Sequence, residues 1–168
     1  MDTDEYVQRE LVARGASIIV DGVFGPRSKL ALAALLVPVP GVAVKLSTRS
    51  EKSLTGVHPD LVKVVRRAAE ISNLEFIVTE GLRTVERQKE LVAKGASKTL
   101  RSRHLTGHAV DVAIKVGGEI RWDWPLYQNF SSFMKDASKE FGIDVEWGGD
   151  WTSFKDGPHY QLSWASYP

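Results

Sequence analysis

Two stretches far apart in the chain limit how it can fold. Ser102-Arg103-His104-Leu105-Thr106-Gly107-His108-Ala109-Val110-Asp111 gathers two histidines and an aspartate, and Asp156-Gly157-Pro158-His159 adds a second aspartate and a further histidine. His104, Asp111 and His159 together have the composition of a zinc site. Zinc takes imidazole nitrogen and carboxylate oxygen, and a catalytic zinc keeps three protein ligands and one open position. A fold that used them so must return residue 159 to the neighbourhood of residues 104 and 111. Gly107 lies between the first two, where the backbone can turn. Asp156, three residues before His159, could take and return the proton of a metal-activated water. The chain has no cysteine, which excludes a Cys-based structural zinc site and any disulfide.

Taken singly, each of these residues is ambiguous. Four histidines in 168 residues are ordinary, and Asp-Gly is a common turn. His104 and His108 form a His-x3-His pair, which on a helix would be a metal pair. The stretch reads instead as a loop entering a strand, and no glutamate follows the first histidine as in helical zinc sites. His108 is therefore read as lining a pocket or exposed, outside the ligand set.

The chain around these stretches alternates helices with short strands. Residues 59–72 carry Leu61, Val64, Val65, Ala68 and Ile71 at helical spacing. Residues 76–79 are β-branched and aromatic and read as a strand, leading to Glu80-Gly81-Leu82-Arg83. Thr84 is placed to cap a helix that ends at Gly95. Residues 96–103 are polar and basic and read as a surface loop over the site. Residues 109–116 alternate as a strand with Asp111, Ala113 and Lys115 on one face, and Gly117-Gly118 signals a hairpin. Residues 126–141 form a helix whose stripe of Phe130, Phe133, Met134, Ala137 and Phe141 belongs to the core. Residues 145–147 and 159–162 read as two further strands. Residues 42–57 show no period. The pattern predicts an α+β fold, a small antiparallel sheet flanked by helices.

The order Ser-x-His, Gly-x-Ala-x-Asp and Asp-x-x-His resembles the zinc peptidases that include the VanY-like D-alanyl-D-alanine carboxypeptidases and the phage L-alanyl-D-glutamate endopeptidases. Glu80-Gly81-Leu82-Arg83-Thr84 and Trp147-Gly148-Gly149-Asp150-Trp151 match further stretches of that family, so the likeness runs over roughly residues 57–163 in the family's order, closest to its phage endolysin branch. The resemblance implies a zinc ion on His104, Asp111 and His159, with Asp156 as general base and Arg83 on the carbonyl oxygen or its oxyanion. It implies that Ser102, Trp147, Asp150 and Trp151 bind substrate or shape the cleft. Core packing plus a tight turn is the alternative for the tryptophan motif, and an ion pair with Glu80 or Glu86 is the alternative for Arg83. The implied activity is hydrolysis of peptidoglycan stem peptides, at the L-alanyl–D-glutamate bond. The alternatives are a D-alanyl-D-alanine carboxypeptidase or a non-catalytic wall-binding module that retains zinc, as in hedgehog-type domains.

Three segments are expected: residues 1–37, a linker over 38–56, and a catalytic domain over 57–168. The first contains Val20-Asp21-Gly22-Val23-Phe24-Gly25-Pro26 between two helical stretches, residues 5–14 and 28–36, and resembles part of a peptidoglycan-binding module. Its usual second half is missing, so packing on the catalytic domain is an equal alternative. The net charge of +1 gives no case for a nucleic-acid partner. The acidic opening Met1-Asp2-Thr3-Asp4-Glu5 does not read as a signal peptide, and the apolar run over residues 30–44 is broken by prolines and too short to span a bilayer. The expectation is a monomer that acts on bacterial peptidoglycan. It stays in the host cytoplasm until a holin releases it.

Overall fold

Alternation in residues 109–116 produces the central strand, β2 (Ala109–Val116). Val110, Val112 and Ile114 are completely buried on one side, while Asp111 and Lys115 keep partial exposure on the other. In the computed structural model, which describes residues 45–168 together with residues 4, 5, 8, 9, 20–23 and 25, every partner of β2 is antiparallel. β1 (Glu75–Glu80) pairs on one side and β5 (His159–Leu162) on the other. β4 (Val145–Trp147) lies beyond β5, giving the order β1-β2-β5-β4. β3 (Glu119–Arg121) folds back on β2 through Gly117 and Gly118, both at positive φ, as the hairpin signal predicts.

The buried face of the sheet carries α2 (Pro59–Ile71) and α4 (Trp124–Phe141), which pack against each other and against the strands. Leu61, Val64, Val65 and Ala68 are fully buried, and Phe130, Met134 and Ala137 almost fully. Phe130 packs 4.5 Å from the Phe76 ring and 5.9 Å from Tyr160. Burying each such side chain contributes about 1.5–3 kcal/mol. The α+β architecture is the expected one. α4 starts two residues earlier than its apolar stripe suggests, because Pro125 suits the first turn of a helix. α3 (Val85–Ala93) is capped by Thr84, whose hydroxyl accepts from the Arg87 N–H at 3.2 Å.

Residues 42–57, without a readable period, contain α1 (Thr48–Ser53). Six residues are too few to display periodicity. The helix is fixed by Ser47, whose hydroxyl caps it, and by buried Ser50, whose hydroxyl accepts from the Val78 N–H at 3.1 Å. Leu54 and Val57 then enter the core.

Toward the N-terminus, residues 4, 5, 8 and 9 are helical. Buried Gln8 clasps the Asp-Gly turn: its oxygen accepts from Asp21 N–H (3.0 Å) and Gly22 N–H (2.9 Å), and its nitrogen donates to Asp21 Oδ1 and Val23 O, both at 2.8 Å. The remainder of the helix expected over 5–14, the helix over 28–36 and the break at 37–41 lie outside the described residues. Among those described, no helix is long and apolar enough to cross a membrane.

Candidate metal centre

The β2–β5 register sets Asp111 directly opposite His159. Opposed residues on one face are close enough for their side chains to meet, and Asp111 Oδ1 lies 3.0 Å from His159 Nδ1. His104 arrives from a 3-10 turn, Arg103–Thr106, that precedes β2. Ser102 caps this turn, its hydroxyl accepting from the His104 N–H at 3.3 Å. Gly107 closes it at φ +71, against Gly56 O, where a Cβ would sit 2.2 Å away. His104 Nε2 is then 3.3 Å from Asp111 Oδ1 and 3.3 Å from His159 Nδ1.

The three donor atoms thus form a triangle with edges of 3.0–3.3 Å. Ligands tetrahedrally placed on zinc, with bonds of about 2.0–2.1 Å, lie about 3.3 Å apart. The surroundings orient the same atoms. His104 Nδ1 donates to Gly81 O at 2.7 Å, since a carbonyl can only accept, and this leaves the Nε2 lone pair facing the triangle. His159 Nε2 donates to Gln161 Oε1 at 3.1 Å. The Gln161 amide is held in that sense by Glu146, which accepts from its nitrogen at 2.8 Å. Hydrogen bonds of this kind fix the tautomer and ring plane of metal-binding histidines. The residues present fit a small tetrahedral cation, and among the described residues they are the group able to hold a metal ion.

Burial alone would raise the Asp111 carboxyl, but hydrogen bonds and charge from His104 and His159 hold it well below the usual carboxylate range. Burial disfavours the His159 imidazolium, yet the bond to Asp111 outweighs it and moves His159 up. Asp156 is shifted up by burial and by the negative charge of Asp111, with the two histidines and Arg83 opposing. That position near the donor group suits a proton-transfer residue.

Arg83 is 7% exposed and heavily engaged. Its Nε and Nη2 donate to the two Glu80 oxygens at 2.8 and 2.5 Å, and Nη2 also reaches Asp111 Oδ2 at 3.4 Å. The Glu80 ion pair is present together with the contact to a candidate ligand. Nη1 donates to Gln88 Oε1 at 2.7 Å. Buried Gln88 passes the connection on, donating to Ser97 Oγ at 2.8 Å and Thr99 O at 2.6 Å, and so pins the basic loop to the wall of the site.

These groups line a cleft of about 550 Å3 that includes Arg83, Ser102, Trp151 and Asp156. Trp151 lies 5.1 Å from the His159 ring. Trp147 and Asp150 do not line it. Trp147 is buried between Trp124 and Tyr160, its indole N–H donating to Gly157 O at 2.7 Å. Asp150 is exposed and paired with Lys135 at 2.8 Å. Gly148 supports the Asp156 turn from below, since a Cβ there would be 2.6 Å from Asp156 O and 3.2 Å from His159 Cβ. Trp147 and Gly148 thus pack beneath the turn that delivers Asp156 and His159, while Trp151 lines the cleft. His108 points elsewhere, bonded to Thr106 Oγ1 and packed 5.0 Å from His58.

Sequence reasoning missed Gln161, Glu146 and Gln88. Gln161 had a signal, because residue i+2 from His159 on a strand shares its face. Gln88 had none, since its partners are a distant arginine and loop backbone.

The chain is similar to several known peptidases. The profile of the phage L-alanyl-D-glutamate peptidases matches residues 42–162. The L-alanyl-D-glutamate peptidase of Escherichia phage T5 is 36% identical over 119 residues, covering 68% of this chain and 87% of that protein. The peptidoglycan L-alanyl-D-glutamate endopeptidase CwlK of Bacillus subtilis is 32% identical over 123 residues, 63% of this chain and 73% of CwlK. The crystal structure of the Serratia marcescens L-Ala D-Glu endopeptidase ChiX superposes with a TM-score of 0.70 at 52% identity, over 73% of this chain and 92% of that one.

Proposed function

The chain belongs to the phage L-alanyl-D-glutamate peptidase family, and from that premise we propose that it is a zinc endopeptidase of peptidoglycan, cutting stem peptides between L-alanine and D-glutamate. The observation that carries the zinc assignment is the donor triangle of His104, Asp111 and His159, with both histidine tautomers set from behind. Bound there, zinc would supply a Lewis acid for the scissile carbonyl and lower the pKa of water at the open position. Asp156 receives a proton on its carboxylate and returns it to the leaving nitrogen. Its burial and its neighbour Asp111 favour proton uptake. Arg83 holds Asp111 by Oδ2 and keeps a fixed positive charge at the cleft wall, where negative charge growing on the carbonyl oxygen is favoured. Ser102 and Trp151 border the substrate.

All three donors come from one chain, which supports action as a monomer. Residues 1–37 are proposed to attach the enzyme to the wall, and holin pores are the proposed exit from the host cytoplasm. The relatives described above are named for the L-alanyl–D-glutamate bond, which favours it over a terminal D-alanyl-D-alanine bond.

Mass spectrometry of fragments released from purified peptidoglycan tests the bond, and metal removal tests the ion. The expected fragments carry a new L-alanine carboxyl and a new D-glutamate amine. Release should stop on chelation and resume with zinc. Cleavage elsewhere overturns the bond, and full activity of metal-free protein overturns the zinc.

A further inference from the structure

The basic loop over residues 96–103 brings more charge to the cleft than the metal centre uses. Four cations line it: Arg83, Lys98, Arg101 and Arg103. Arg83 is committed to Glu80, Gln88 and Asp111. Arg103 is buried and donates from Nη2 to Leu162 O and Tyr167 O. Lys98 and Arg101 are exposed, and among the described residues neither lies within ion-pair distance of a carboxylate. Each instead reaches toward an aromatic ring that also lines the cleft, Lys98 Nζ 5.9 Å from the Phe154 centroid and Arg101 Cζ 5.9 Å from that of Trp164. The loop does not hang free. Gln88 grips Ser97 and Thr99 on either side of Lys98, and Thr99 Oγ1 accepts from the Arg101 N–H at 2.9 Å.

The substrate of the proposed reaction has an anion to offer this pair. A D-glutamate residue continues its chain through one carboxyl group only, so the other remains a free carboxylate. By standard bond lengths that carboxylate lies within about 2.5–5 Å of the scissile nitrogen. It therefore enters the cleft whenever the bond is placed at the metal centre. Arg101 stands three residues before the ligand His104, so backbone reach keeps their Cα atoms within about 11 Å, a gap the long arginine side chain shortens.

We propose that Arg101, assisted by Lys98, binds the free carboxylate of the D-glutamate residue and makes the enzyme selective for the acid over its carboxamide. The guanidinium offers a planar fork that matches a carboxylate, and Lys98 adds a second positive charge. The aromatic rings hold both cations at the cleft in the meantime. This rests on the L-alanyl–D-glutamate reading of the site.

The test is steady-state kinetics of the zinc-loaded enzyme on two soluble stem peptides that differ only in whether that carboxyl is free or amidated. Wild type should prefer the free acid by about 10- to 100-fold in kcat/KM, the usual worth of a charge-assisted hydrogen bond. Arg101→Gln should lose that preference, mainly through a higher KM for the acid, with little change for the amide. Lys98→Gln should lose part of it, and Arg101→Lys should regain part. Equal use of both peptides by wild type, or an undiminished preference in Arg101→Gln, overturns the inference and leaves the activity standing. Cleavage of neither peptide overturns both the activity reading and the inference built on it. Arg101 is exposed, so its replacement leaves the fold and the zinc content as controls.

Discussion

The two faces of the central sheet are made by the same strands and held by opposite means. On one, Val110, Val112, Ile114, Tyr160 and Leu162 meet α2 and α4 with almost no exposed surface. On the other, Asp111, His159 and Gln161 stand in a polar row tied to one another, to Glu146 and to Arg83 by individual hydrogen bonds, with His104 beside them held by Gly81 O. The apolar face depends on volume, which tolerates swaps of similar size. The polar face depends on the identity of each atom, because a buried donor or acceptor left without its partner costs about 1–3 kcal/mol. Stability and chemistry are therefore separable in this fold, one residue apart along each strand.

Substitution at the polar face should show the largest effect. His159→Ala should lose zinc and activity together, while Asp156→Ala should keep zinc and fold but lose about 10²–10⁴ in turnover. Metal analysis beside wall lysis separates the two, and zinc loss in Asp156→Ala would place that residue among the ligands. On the apolar face, Phe130→Ala should cost about 3–5 kcal/mol of stability, with unchanged zinc stoichiometry in the folded fraction. Chemical denaturation with metal analysis checks it, and selective zinc loss would erase the separation between the faces.

A smaller effect tests the supports. Gln161→Leu leaves both His159 Nε2 and Glu146 without their partner and should weaken metal affinity about 10- to 100-fold, read by competition with a chelating dye. His108→Ala, off the cleft, should leave that affinity unchanged. Loss of zinc in His108→Ala with normal affinity in Gln161→Leu would reverse the assignment of ligands and bystander.

The smallest effect is a slope. In metal-free protein, the depressed Asp111 contributes stability that is present above the ordinary carboxylate range and lost only as pH falls through its lowered value. The raised His159 contributes stability that is full below the ordinary histidine range and lost as pH rises through its raised value. Metal-free protein should thus weaken as pH climbs above about 6.5, by at most about 1.4 kcal/mol per pH unit for one proton. Metal-loaded protein should strengthen over the same range, since protons compete with zinc for the same atoms. Thermal melts of both forms between pH 6 and 8 read the two signs. Parallel slopes would mean that the triangle does not exchange a proton for the metal.

Much of the apolar face is legible in the amino-acid sequence, because burial writes a period into it: Val64, Ala68, Phe130 and Met134 all fall where the spacing puts them. The donor set is legible through a motif, and its geometry through strand alternation around Asp111. The contacts that bind the site together are less so. Gly81 acts through its carbonyl, Ser50 through one hydroxyl on a strand 28 residues away, and Gln88 by linking an arginine to loop backbone. Contacts to backbone carry no residue preference at the partner position, so a single sequence leaves no trace of them.

Synthesis from the N-terminus delivers His104 and Asp111 long before His159. The strand that brings His159 is also the last of the sheet to be made, and it must slide into the gap between β2 and β4. A fragment that stops short of it has two donors and an open sheet. One in which β5 slips by a single residue turns the histidine into the core. An ion held by all three donors would therefore require the finished topology, and the donor triangle does not exist until the chain has been threaded correctly to residue 159.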